Sequence, residues 1–217
     1  MAYYGFDKRD YVGATNMQKI YALGKFSYSG FYLTSPHYGG TGYTSAARQT
    51  IANLGMGFMI YYVGRQTTDS ATLKTSAQGA KDATDAIAKA KAVGFRGGII
   101  YLDVEGDVKA DRGMDNYILG FYGGLEDSAF TAGIYCSSTS ASHIYNLFNG
   151  RTRPRFIIAR YDPAVANKYS GLTPTGSGHS FATTWQYQEN AVVAVQGYNL
   201  LLDLNVSDYK DPSAVGF

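Results

Sequence analysis

Apolar positions along this chain fall in short β-branched and aromatic runs, separated by segments of helical spacing, the signature of parallel strands joined by crossover helices. Eight runs read as strands: residues 3–7, 30–34, 57–63, 98–104, 131–136, 155–161, 181–187 and 200–204. Phe-Met-Ile-Tyr-Tyr-Val in the third and Gly-Ile-Ile-Tyr-Leu in the fourth are apolar on both faces, as a strand covered inside and out requires. Between the strands, Met17, Ile20 and Tyr21 mark a first helix, and Ala47, Ile51 and Leu54 a second that stops at Gly55. The third is the longest. Ala77, Ala80, Ala83, Ile87, Ala90 and Val93 form its apolar stripe, Lys81, Asp85 and Lys89 stand four apart on its wet side, and Gly94 follows as the C′ residue. Ile118, Phe121, Tyr122 and Leu125 make a fourth stripe. Ser138 to Ser140 would cap a fifth helix through Ile144, Tyr145 and Phe148, and Pro163 would begin a sixth. The connection after the seventh strand is short and poor in helical pattern.

Eight strands and at least six crossovers within 217 residues predict one α/β domain spanning 1–217, a compact (β/α)8 TIM-type barrel irregular in its last helices. A doubly wound open sheet is the other fold that fits, but Asp7-Lys8-Arg9-Asp10 follows the first strand where a dinucleotide fold would carry its glycines. Gly30, Gly57, Gly97, Gly98 and Gly133 stand at strand entries and read as turn residues. Gly171 to Ser180, rich in Gly, Ser and Thr, reads as a mobile segment beside the barrel mouth.

Composition narrows the function classes. Hydrophobic residues make up 45% and charged residues 17%, which excludes an intrinsically disordered chain. Net charge is +2 with no basic run longer than Lys8-Arg9, so the footprint of a nucleic-acid binder is missing. The single cysteine, Cys136, can form no internal disulfide and reads as a packed core residue. Residues 1–10 hold no signal-peptide apolar region, and no stretch nears the ~20 apolar residues of a membrane span. The chain has 20 tyrosines, and a flat apolar face with a hydroxyl suits polar, ring-shaped ligands such as sugars.

Barrel enzymes carry their chemistry at the C-terminal ends of the strands, and here those ends are acidic. Asp7 ends the first strand, Asp103 and Glu105 the fourth, and Asp203 the eighth. Closure would bring all four to one mouth, where mutual repulsion raises carboxyl pKa values and keeps an acid protonated for proton donation. Asp103 and Glu105 are two residues apart, which puts their Cβ atoms roughly 6.5–7 Å apart on one side of an extended segment. Glycoside hydrolysis uses a carboxyl pair, closer in retaining than in inverting enzymes, and the spacing leaves both outcomes open.

Gly5-Phe6-Asp7, Tyr101-Leu102-Asp103-Val104-Glu105, Gly133-Ile134-Tyr135, Ile158-Ala159-Arg160-Tyr161, Trp185-Gln186-Tyr187 and Leu202-Asp203-Leu204-Asn205 together resemble, in strand order, the glycoside hydrolase family 25 lysozymes. The chain resembles in particular their glycoside-hydrolase-like relatives grouped as domain of unknown function 1906. The resemblance implies cleavage of the β-1,4 bond after N-acetylmuramic acid in peptidoglycan. It implies Glu105 as general acid and Asp103 as the group that stabilises the positive centre or positions the 2-acetamido oxygen, with Asp7 and Asp203 shaping the charge. Tyr61, Tyr135, Arg160, Tyr161, Trp185 and Gln186 lie where substrate contacts would fall. No metal or organic cofactor is implied. The expected partner is peptidoglycan or a related glycan, and the expected location is extracellular or at the cell envelope, by a route the chain does not disclose. Lys8 and Arg9 depart from the lysozyme pattern, which has a small residue and Ser after the first aspartate. Those cations could pair with the acids, so a glycan-binding or scaffold domain without catalysis is the alternative.

Other chemistries fit less well. Asp103, Glu105 and Asp107 mimic the opening of a calcium loop, but Met114 holds its twelfth position. His37, His143 and His179 lack zinc-protease spacing, and Gly39-Gly40-Thr41-Gly42 lacks the lysine of a phosphate loop.

Overall fold

A strand that is apolar on both faces needs cover on both sides, and a sheet closed on itself inside a ring of helices supplies it. The computed structural model describes residues 1–35 and 43–215 and has this form. His37 and the Gly39-Gly40-Thr41-Gly42 segment lie outside the described residues. Eight strands close in sequence order: β1 (Tyr3–Asp7), β2 (Tyr28–Leu33), β3 (Gly57–Val63), β4 (Gly98–Val104), β5 (Phe130–Ser137), β6 (Arg155–Ala159), β7 (Ala182–Val195) and β8 (Tyr198–Ser207). Helices α1 (Ala14–Ala22), α2 (Ser45–Asn53), α3 (Ser76–Ala92), α4 (Arg112–Leu125) and α5 (Ser138–Leu147) fill the first five crossovers.

The helices begin where their sequences supply an acceptor for an orphan amide. The side chains of Thr44, Thr75 and Asp111 accept from the backbone N–H of Ala47, Gln78 and Met114. On α3, Lys89 pairs with Asp85 at 2.8 Å, the four-residue spacing of its wet face. Helix α5 starts one residue earlier than its serines suggest. Ser137 is its N-cap residue, and the Ser137 hydroxyl bonds Thr139 rather than a helix amide.

The last quarter of the barrel departs from the repeating pattern. Pro163 opens only a 3-10 turn (Pro163–Val165) in place of a sixth helix. A second 3-10 turn, Pro174–Ser177, lies within the Gly-rich segment, where Pro174 and Ser177 are buried. Strands β1 to β7 pair in parallel, but β8 is antiparallel to both β7 and β1. The eighth parallel strand expected from the pattern is therefore the return arm of a hairpin, because two residues, Gln196 and Gly197, separate β7 from β8. A parallel return needs a crossover of a dozen or more residues.

Tyrosine rings fill the barrel lumen. Tyr61 of β3 stacks on Tyr32 of β2 at 4.7 Å and meets Tyr135 of β5 edge-on at 5.6 Å. Gly5 and Gly133 make room for such rings: a Cβ on Gly5 would stand 2.2 Å from the Tyr28 ring, and one on Gly133 2.3 Å from the Tyr101 ring. Close approach, not turning, is what Gly133 supplies. Tyr101 donates to the Pro212 carbonyl at 2.7 Å, where the segment after β8 closes the opposite pole. The core thus plugs one end and leaves the end where β1 and β4 finish open.

Candidate functional site

Inward positions alternate along each strand, so residues at the strand ends reach the mouth only if their parity is right. Asp7, the last residue of β1, and Asp103, the last inward residue of β4, satisfy this. They border a cleft of about 400 Å³ together with Arg9, Tyr32, Val63, Gln66, Glu105, Tyr135, Tyr161, Gln186, Glu189 and Asp203. Asp203 does not end its strand, as the parallel reading had it. It sits mid-strand in β8, opposite Asp7, and reaches the same mouth because β8 runs the other way.

Asp7 is fully buried and firmly held. Tyr32 donates to its Oδ1 at 2.7 Å, while Gln186 and Asn205 donate to its Oδ2 at 2.9 and 2.8 Å. Burial raises its carboxyl pKa, against the pull of these three donors. Gln186 is itself oriented by the Tyr135 and Tyr161 hydroxyls, which donate to its Oε1 at 2.9 and 3.2 Å. The tyrosines and the amide thus form a relay that aims the amide nitrogen at Asp7.

Asp103 is 6% exposed, and its Oδ1 has no hydrogen-bond partner among the described residues. Burial, then the charges of Glu105 and Asp7, push its carboxyl well above the usual range. Asp203 is pushed up to about 7 by burial and by Asp7, although the Asn190 amide donates to it at 2.7 Å. Glu105, one residue beyond β4, is exposed at the rim. Asp203 can therefore hold a proton near neutral pH beside the opening, and burial favours the protonated form of Asp103.

Lys8 and Arg9 stay beside the acids: the Lys8 charge draws the Asp203 carboxyl down against burial, and Arg9 borders the cleft. Lys8 Nζ donates to the Leu201 carbonyl at 3.2 Å, and Arg9 lies 3.8 Å from Asp10.

Of the ten site residues expected from sequence, Asp7, Asp103, Glu105, Asp203, Tyr135, Tyr161 and Gln186 border the cleft. Three do not. Tyr61 is fully buried beneath Tyr32, a support for the wall rather than part of it. Trp185 alternates with the inward Gln186 and so faces outward, packed on Gly176 with its indole N–H bonded to the Arg160 carbonyl at 2.7 Å. The Arg160 guanidinium donates to the Gly176 carbonyl at 3.1 Å. Both belong to the scaffold of the Pro174–Ser177 turn. Sequence reasoning missed Tyr32, Gln66, Glu189 and Asn205. Tyr32 was legible as a polar residue at a strand end, and Asn205 as the same-face neighbour of Asp203, whereas Gln66 lies on a loop with no pattern to mark it. Cys136 is buried, and burial pushes its thiol up, away from nucleophile chemistry.

A closed β/α barrel with an acid-lined cleft at its open mouth defines a glycoside-hydrolase-like domain. The chain belongs to the family described as the Rv2525c-like, glycoside hydrolase-like domain, whose sequence model matches residues 19–207. Among solved structures it is similar to an uncharacterized protein of B. stearothermophilus, 18% identical with a TM-score of 0.67, over 96% of this chain and 97% of that one. The Tat-secreted protein Rv2525c of Mycobacterium tuberculosis is 15% identical with a TM-score of 0.61, over 94% and 93% of the two chains. The spore cortex lytic enzyme SleM of Clostridium perfringens is 14% identical with a TM-score of 0.65, over 95% of this chain and 67% of that one. At these identities the likeness is one of fold. No curated protein matches the chain. Among the described residues, no helix is long and apolar enough to cross a membrane.

Proposed function

We propose that this domain is a muramidase-type glycosidase that cuts the β-1,4 bonds of peptidoglycan at the mouth of the barrel. The observation that carries the reading is the meeting of Asp7, Asp103, Glu105 and Asp203, from three strands, on one cleft. Glu105, at the rim, gives its proton to the bridging oxygen as the bond from C1 to that oxygen breaks. Asp103, beneath it, bears on the 2-acetamido group and the positive charge growing at C1, and water completes the cleavage by adding at C1 and giving a proton back to the Glu105 carboxylate. Asp7 and Asp203 set the local charge, and Tyr135, Tyr161 and Gln186 contact the sugar. Secretion of Rv2525c and the cortex-lytic role of SleM agree with a substrate outside the cytoplasm.

Clearing of a purified peptidoglycan suspension by the wild type, lost in Glu105→Gln, is the expected result. General acid catalysis is worth about 10²–10⁴-fold, so the loss is easily read. A wild type that sediments with peptidoglycan yet releases no reducing ends overturns the enzyme reading in favour of a glycan-binding module.

A further inference from the structure

Glu105 stands one residue beyond the end of β4, where the sheet offers its backbone no further partner. The last backbone bond between β3 and β4 runs from the Gly64 amide to the Asp103 carbonyl at 3.2 Å. Past that point the Gln66 side chain takes over. Its Oε1 accepts from the Glu105 amide at 2.7 Å, and its Nε2 donates to the Asp103 carbonyl at 3.0 Å and to the Gly64 carbonyl at 3.1 Å. A side-chain amide carries the same donor and acceptor as a peptide group, so Gln66 adds one further rung to the ladder. That rung spans the segment bearing both Asp103 and Glu105.

Gln66 is itself fixed. Its backbone amide donates to Asp69 at 2.7 Å, and the preceding Arg65 amide donates to the Tyr117 hydroxyl at 3.1 Å. The next residue, Thr67, is held by one bond and lies close against Gly106. Lys74 donates to its carbonyl at 2.9 Å, and a Cβ on Gly106 would stand 2.5 Å from its hydroxyl. The loop after β3 and the turn after β4 are therefore interlocked beside the cleft.

We infer that Gln66 is the positioning residue that holds Glu105 and Asp103 in register at the cleft. Its bearing on catalysis rests on the reading of Glu105 as proton donor, but its hold on the backbone does not. The inference is tested with Gln66→Met, which keeps the length and removes the polar atoms, and Gln66→Glu, which keeps the acceptor for the Glu105 amide.

Amide hydrogen exchange measured by NMR on the intact domain reads the backbone directly. The Glu105 amide should exchange at least about tenfold faster in Gln66→Met, over and above any change in global stability read from the thermal midpoint, and less so in Gln66→Glu, which keeps the acceptor but sets an oxygen against the Asp103 and Gly64 carbonyls. In the clearing assay, Gln66→Met should lower kcat by about 10- to 100-fold with KM within about threefold, the cost of a misplaced group rather than of lost binding. Unchanged Glu105 exchange in Gln66→Met overturns the inference, as does an unchanged kcat in an active enzyme. A wild type inactive on every glycan sinks the proposed function alone, and the exchange data then decide the role of Gln66.

Discussion

Asp203 stands directly opposite Asp7 across the antiparallel pair of β1 and β8, so two carboxyls from the two ends of the chain share one wall of the cleft. Burial, and after it the charge of Asp7, gives the fold a pH signature. The Asp203 carboxyl rises from the usual 3.8 to about 7 in the folded chain. Between those values the unfolded chain releases this proton and the folded chain keeps it, so stability is full at the acid end and falls as pH rises through the window. Thermal unfolding should show a midpoint that declines from about pH 4 to pH 7. Asp203→Asn, which keeps an acceptor for the Asn190 amide, should lessen that decline, to which the raised carboxyls of Asp7, Asp103 and Asp211 also contribute, and be the more stable protein at pH 8. A parallel decline in both would refute the assignment.

The Tyr32 hydroxyl is one of three donors to a fully buried carboxylate. Tyr32→Phe keeps the ring stacked on Tyr61 and removes only that donor. A buried hydrogen bond is worth about 0.5–1.5 kcal/mol, and more where its partner is ionised, so urea unfolding should show a loss of about 1 kcal/mol or more. A change under about 0.5 kcal/mol would mean that Gln186 and Asn205 satisfy Asp7 by themselves.

Gly5 has no room for a methyl group, because the Tyr28 ring already occupies the space. Gly5→Ala should cost about 1–3 kcal/mol through overpacking, and Tyr28→Leu in the same chain should recover part of it. Equal losses in the single and double variants, measured by urea unfolding, would show that the ring is not the obstacle.

Trp185 serves the scaffold. Trp185→Phe should lose about 1 kcal/mol with the indole N–H bond to the Arg160 carbonyl, while KM for glycan stays within about twofold. A KM that rises tenfold with unchanged stability would return Trp185 to the cleft.

Strands β1 to β6 were legible because runs such as 57–63 and 98–104 are apolar on both faces and are followed by stripes of helical period. The direction of β8 was not read, because strands at 181–187 and 200–204 leave a gap long enough for a crossover, and only the extension of β7 to Val195 and of β8 back to Tyr198 reduces it to the two residues of a hairpin. The outward face of Trp185 was legible, from its alternation with Gln186. Strand order and end chemistry located Asp7, Asp103 and Glu105, whereas Asp203 was placed at the mouth on a strand direction that the structure reverses. Neither cue could locate Gln66, whose importance comes from a loop meeting the end of a different strand, a contact that no local spacing encodes.

Local pattern alone determined the strands, the helices between them and the acids near strand ends, since burial on two faces and residues at strand ends are properties of short segments. Tertiary structure alone decided that Asp203 reaches the mouth from an antiparallel strand, that Asp7 is clamped by Tyr32, Gln186 and Asn205, and that Trp185 is scaffold. The reason is physical: hydrogen bonds and burial depend on which segments meet across the closed sheet, and closure joins residues nearly 200 positions apart, as Asp7 and Asn205 show.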